Sequence, residues 1–147
     1  MNDHHVDMVV LEHHDPADYQ AIVEPLVAFN ATKVGDSHYR KLAVLLKQPG
    51  GGPTIGGLWG KFYYEWLFVE LLFVPEHLRG RGHGRELMLK AEQMTVGWGG
   101  IGLWLDTFDF QARGFYEKLG FSVFGEIGDH PRGRSRFFLE KRLQIGG

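Results

Sequence analysis

The segment FVPEHLRGRGHGRELMLKAEQ, residues 73–93, decides how the chain reads. It places three glycines and three arginines between an apolar run and a helix. The run before it, EWLFVELLFV (65–74), is rich in β-branched and aromatic residues and predicts a strand ending near Val74. Pro75 has no N–H to give a ladder, so the strand stops there. Downstream, Leu87, Ala91 and Met94 share a helical stripe with Met88 beside them, which predicts a helix from about Gly82. Gly80, Gly82 and Gly84 lack Cβ atoms, so a ligand can approach the backbone closely. The first N–H groups of a helix are unpaired, and the dipole there favours negative charge. Arg79, Arg81 and Arg85 add charged donors suited to phosphate oxygens. The loop therefore reads as a pyrophosphate cradle, against the plainer alternative of a solvated turn that merely needs glycine. A Walker A loop would require Gly-Lys followed by Ser or Thr, and the dinucleotide fingerprint would require G-x-G-x-x-G; neither occurs in this loop.

The rest of the chain supplies a frame for that loop. Residues 6–11 predict a short strand. Asp15 caps a following helix, with Pro16 at its first position and Asp18 in its first turn. Ile22, Leu26 and Phe29 continue at helical spacing, and Pro25 predicts a kink or two short helices. KLAVLLKQ (41–48), TIGGLWGKF (54–62) and residues 66–74 predict three strands, the last two antiparallel. After the glycine loop and its helix come a strand at 101–108, a short helix ending at Gly120, and two strands around GDHPRG. The order is strand, helix, three strands, helix, strand, helix, two strands. It predicts an α/β fold of the α+β type, a mixed sheet with helices packed on it. No repeat or linker interrupts it, so residues 1–147 read as one domain.

Composition removes several function classes. The 147 residues are 44% apolar, enough for a core without metal or disulfides. Sixteen basic against eighteen acidic residues give a net charge of −2, which argues against a nucleic-acid partner. There is no cysteine, so thiolate metal sites and a Cys nucleophile are excluded. No apolar run reaches membrane-spanning length, and a cytoplasmic location is expected. His4, His5, His13 and His14 suggest metal, but adjacent residues point to opposite strand faces and no acidic partner is evident, so no metal is expected.

Two motifs together carry a resemblance. LLFVPEHLRGRGHGRELM resembles the acyl-CoA-binding motif Arg/Gln-x-x-Gly-x-Gly/Ala of the GNAT superfamily of N-acetyltransferases, through Arg79, Gly82 and Gly84. DFQARGFYEKLGF (109–121) resembles that superfamily's second motif, through Ala112, Phe115, Tyr116, Lys118, Gly120 and Phe121. The resemblance implies a mostly antiparallel central sheet in which two parallel strands, here 66–74 and 101–106, splay apart to admit acetyl-CoA. It implies that backbone around Leu72, Phe73 and Val74 binds the pantetheine arm. Backbone amides of Arg79, Gly80, Arg81, Gly82, His83 and Gly84, with Arg85 beside them, would hold the pyrophosphate. The second motif often begins with an asparagine that bonds the arm, and here Asp109 stands there. An ionised carboxylate accepts but cannot donate.

Acyl transfer to an amine needs a neutral amine, a stabilised oxyanion and a proton for the leaving thiolate. The resemblance places Tyr116 beside the CoA sulfur, and a phenol with an ordinary pKa of about 10 can protonate a thiolate; a core aromatic is the plainer reading. Glu70, which interrupts an apolar strand, is the candidate base, with Asp106 and water as competitors. Trp59, Trp66, Trp104, Tyr63 and Tyr64 either line an acceptor pocket or fill the core, and Arg132, Arg134 and Arg136 either bind an acidic substrate or form a solvated turn. Without cysteine, direct attack in a ternary complex is expected, on an acceptor that is a small cationic amine. A non-catalytic CoA-binding module and a protein N-terminal or lysine acetyltransferase are the alternatives. Relatives often pair, so a homodimer is compatible with the resemblance.

Overall fold

The structure is a computed structural model and describes residues 4–144. The chain forms two compact units, one ending at Asp36 and one beginning at Ser37. In the first, α1 (Pro16–Val34) starts at Asp15, whose Oδ1 accepts from the Ala17 N–H at 2.8 Å. Pro25 lies inside it, and the helix runs through as one element rather than two. A proline removes one backbone donor, here the one facing the Ala21 carbonyl, and the remaining ladder carries the helix past it. The strand expected at residues 6–11 does not form. Its apolar residues do not alternate, and a strand exists only where another strand accepts its ladder.

The second unit is a six-stranded mixed sheet with helices packed on it. The strands are β1 (Arg40–Lys47), β2 (Thr54–Tyr63), β3 (Trp66–Phe73), β4 (Gly102–Phe108), β5 (Ser122–Gly128) and β6 (Ser135–Arg142), in spatial order β1-β2-β3-β4-β6-β5. All neighbours are antiparallel except β3 and β4, which the crossover through helix α2 (His83–Gly97) makes parallel. A two-residue turn joins β2 to β3 with Tyr64 and Glu65 both at positive φ (47° and 66°), the geometry that lets a tight hairpin follow strand twist. α2 buries Leu87, Met88, Ala91 and Thr95 toward the sheet; Met94, expected on that stripe, is largely exposed. The core joins these to Leu58, Leu67, Val69, Leu103, Leu105 and Leu139 of the strands and to Tyr116 of helix α3 (Arg113–Lys118).

The parallel pair is what positions the site. Pairing runs from Trp66 opposite Gly102 to Val69 opposite Leu105 and then stops, although β3 continues to Phe73 and β4 to Phe108. The cause lies on the other side of β3. There Gly60 pairs with Val69 and Trp59 with Leu71, so Glu70 is an extra residue without a partner. Such a bulge bends its strand and ends regular pairing. Burial confirms the slip of phase: Leu67 and Val69 are buried before the bulge, Leu72 and Val74 pack on the core after it, and Glu70 and Leu71 are consecutive and exposed.

The closed end of the fork tolerates no bulk. A Cβ at Gly102 would lie 2.4 Å from Trp66 Cζ3, and the Trp66 ring is already covered by Arg142 at 5.1 Å. Gly102→Ala is expected to lower unfolding free energy by about 1–3 kcal/mol, read from denaturant midpoints.

Candidate active site

Beyond the fork the two strands enclose a cleft of about 950 Å³, lined by residues 69–73 of β3 and Val74 after it, by residues 105–108 of β4, and by the glycine loop and α3. The alternation of side chains divides its walls between two faces of the sheet. Val69, Leu72, Leu105 and Thr107 belong to the face that carries α2, whereas Glu70, Leu71, Phe73, Asp106 and Phe108 belong to the other.

At the α2 end lies the loop that opened the sequence reading. Gly80 and Gly82 have φ of 78° and 85°, a left-handed geometry in which L side chains are strained, so glycine is required by conformation. Gly82 caps α2 without a side chain. Gly84 has a different reason: a Cβ there would sit 3.2 Å from Phe115 Cζ, so the residue sets how closely α2 meets α3. Among the described residues, the backbone N–H groups of residues 80–85 meet no protein acceptor. A run of such donors at a helix start is an anion site by construction. Arg79 is partly committed to the fold, since its Nε donates to the Val74 carbonyl at 3.0 Å and its guanidinium lies over Phe73. His83 Nδ1 is 3.2 Å from the Leu78 carbonyl, which makes Nδ1 the donor and fixes the ring. Arg79, Gly80, Gly82, His83, Gly84 and Arg85 line the cleft, and Arg81 does not.

Tyr116 is buried beside the gap, 8% exposed, with its ring against Phe115 and Phe121. Its phenol is pushed up from 10.0 to about 12, first by burial and second by the negative charge of Asp106. The phenol is therefore a weaker acid than an ordinary tyrosine, and a neutral O–H donor over a wider range of pH.

The carboxylates are each matched by a cation. Glu70, on the bulge, is 3.3 Å from Lys61 Nζ. Asp106 Oδ1 accepts from Arg136 through Nη2 at 2.7 Å and Nε at 3.0 Å. Arg136 Nη1 lies 3.1 Å from His130 Nε2; a guanidinium can only donate, so His130 is protonated on Nδ1. The faces of Phe108 and Phe138 hold the guanidinium at 5.6 and 5.3 Å. Arg134 bonds Asp109, so two of the three arginines in the β5–β6 region are ion-paired within the fold. Asp109 does not line the cleft; its oxygens face Arg134 Nε at 3.2 Å and the Ser135 N–H at 3.0 Å. Gln111, which sequence reasoning passed over, does line it. Trp104 stacks on Phe68 at 4.2 Å, away from the cleft lining. Among the described residues no three His, Asp or Glu side chains converge as metal ligands, and no helix is long and apolar enough to cross a membrane.

The sheet is thus forked between two parallel strands, with a run of free backbone N–H groups at one end of the gap and a buried phenol beside it. The chain belongs to the GNAT acetyltransferase family, whose model matches residues 11–121, and it is an acyltransferase. It is 39% identical over 124 residues to an acetyltransferase of Agrobacterium fabrum, covering 84% of this chain and 90% of that one. It is 40% identical over 93 residues to a blasticidin-S acetyltransferase of Streptomyces morookaense, covering 63% of this chain and 68% of that one. The crystal structure of an Agrobacterium tumefaciens protein described as an acetyltransferase matches with a TM-score of 0.88 at 36% identity, over 94% of this chain and all of that one.

Proposed function

We propose that the protein transfers the acetyl group of acetyl-CoA to a primary amine of a small molecule, by direct attack in a ternary complex. The observation that carries this reading is the fork itself: beyond Val69 and Leu105 neither strand is paired to the other, so each offers backbone groups to an extended ligand. The residues fit acetyl-CoA. Free N–H groups at 80–85 suit its pyrophosphate, and the β3 edge at Leu72, Phe73 and Val74 suits its amide-bearing arm. When bound, acetyl-CoA supplies a thioester carbonyl open to attack by a neutral amine.

In this reading Glu70, the first residue past the closed end of the fork, takes the proton from the acceptor amine, directly or through water. Lys61 Nζ lies 3.3 Å from its carboxylate. Tyr116 holds its proton toward the departing sulfur, as a hydrogen-bond donor rather than a strong acid. Asp106, ion-paired with Arg136, forms a polar wall on the acceptor face. The likeness to an enzyme named for acetylating blasticidin S supports a small-molecule acceptor over a protein.

The test is calorimetric titration with acetyl-CoA against an ATP control, followed by turnover with blasticidin S, an aminoglycoside and an N-terminal peptide. Saturable binding of acetyl-CoA, with turnover of a small amine and none of the peptide, is the expected result. Glu70→Gln should then lower kcat/KM about 10²-fold. Binding without turnover of any amine would make the chain a CoA-binding module, and no binding would remove the donor altogether.

A further inference from the structure

The end of β4 turns back on itself, and the turn is built around one side chain. The Gln111 N–H donates to the Phe108 carbonyl at 2.9 Å. Its side-chain oxygen Oε1 accepts from the Phe108 N–H at 2.8 Å and lies 3.0 Å from Oγ1 of Thr107, which is 3% exposed. These contacts settle which way the amide faces. A backbone N–H can only donate, so the atom opposite Phe108 must be the oxygen, and the NH₂ group points the other way. Among the described residues nothing accepts from that NH₂, and Gln111 lines the cleft. The fold therefore holds two side-chain hydrogen-bond donors, in fixed orientation, at the edge of β4 that β3 has left unpaired.

Two residues earlier the situation is reversed. Both Asp109 oxygens are engaged, by Arg134 and by the Ser135 N–H, and the side chain is outside the cleft lining. Asp109 ties the turn to the start of β6; its backbone N–H also bonds the Ser135 carbonyl at 2.9 Å. Its work is done within the fold.

We propose that Gln111, and not Asp109, is the side chain that binds the amide-bearing arm of the acyl donor, by donating from its NH₂ group to an arm carbonyl. The inference rests on the acetyl-CoA reading above. The arm's carbonyls are acceptors that lose water on entering the cleft, so donors held ready in the wall satisfy them without reorganisation. Thr107 and the Phe108 N–H act through Gln111, as positioning groups.

Gln111→Glu separates this role from a structural one. A carboxylate still accepts from the Phe108 N–H and Thr107, so the turn is kept, while the donors are lost. Affinities for CoA and for adenosine 3′,5′-bisphosphate, which carries phosphates but no arm, are measured by calorimetry. Gln111→Glu is expected to weaken CoA binding about tenfold and to leave the bisphosphate affinity and the thermal midpoint unchanged. Gln111→Met, uncharged and without donors, is expected to lose CoA affinity over the bisphosphate in the same way, at a lower thermal midpoint because the Phe108 N–H and Thr107 lose their acceptor. Asp109→Ala is expected to lower the thermal midpoint with CoA affinity kept within about twofold. Equal CoA affinity in wild type and Gln111→Glu, or parallel loss of CoA and the bisphosphate, would overturn the assignment and leave the donor reading standing. Failure of the wild type to bind CoA would overturn the donor reading, and the assignment with it.

Discussion

Replacing Tyr116 with phenylalanine is expected to lower kcat about 10²-fold while the KM for acetyl-CoA changes little. The variant keeps the ring, and with it the contacts to Phe115 and Phe121, so the loss isolates the hydroxyl. The pH dependence is the sharper result. With the phenol pushed up to about 12, it stays protonated throughout the range in which an acetyltransferase is assayed. The ratio of wild-type to variant rates should therefore be flat from about pH 6 to pH 10, where an ordinary tyrosine would already be half ionised. A ratio that fell toward unity near pH 10 would mean that the hydroxyl is neither buried nor near Asp106 during turnover. The same shift has a consequence for stability. The folded state favours the neutral phenol, so its contribution is fully present below the unfolded value of 10.0 and is lost as pH rises through about 12. Its size is on the order of 3 kcal/mol, and Tyr116→Phe should resist alkaline unfolding better than wild type in that window.

Placing a carboxylate in the cradle should remove the donor. Gly82 has φ 85° and ψ 5°, a left-handed geometry that strains any side chain, aspartate less than most, so Gly82→Asp is the least disruptive way to put a charge there. In Gly82→Asp the new carboxylate would accept from N–H groups that are free in the wild type and would face incoming phosphates with like charge. One added charge a few ångströms from a phosphate, partly screened, is worth about 3–4 kcal/mol, so the acetyl-CoA Kd should rise at least about 10²-fold. Circular dichroism should stay near wild type, with the thermal midpoint lowered by the strain at this φ. A folded Gly82→Asp protein that bound acetyl-CoA within a few-fold of wild type would place the phosphates elsewhere.

The glycine loop was legible in the sequence because everything it needs is local. A strand that ends at a proline, glycines at positive φ and a helix that starts at once all lie within residues 73–93. Residues 6–11 misled for the opposite reason: apolar character is local, but a strand needs a partner that no short window contains. The bulge at Glu70 was hidden because it is a mismatch of register between β2 and β3, and neither sequence alone records it. The pairing of Asp106 with Arg136, thirty residues apart, depends on β4 lying against β6. Asp109 and Gln111 were the hardest to tell apart. Both are short-range polar residues in one turn, and only the hydrogen bonds they make show which is spent and which is available. A signal for Gln111 did exist: Thr107 follows Leu103 and Leu105 on the inward alternation of one strand, and a buried hydroxyl requires an acceptor nearby.

The gap between β3 and β4 opens on both faces of one sheet, and the walls on each face come from alternate residues of the same two strands. Neighbours in sequence thus serve different sides: Leu72 and Leu105 on one, Leu71 and Asp106 on the other. Changes at every second position can remodel one entrance without touching the lining of the other. Such an architecture can trade one acceptor for another by drift on a single face while the opposite face, and the molecule it holds, stays as it was.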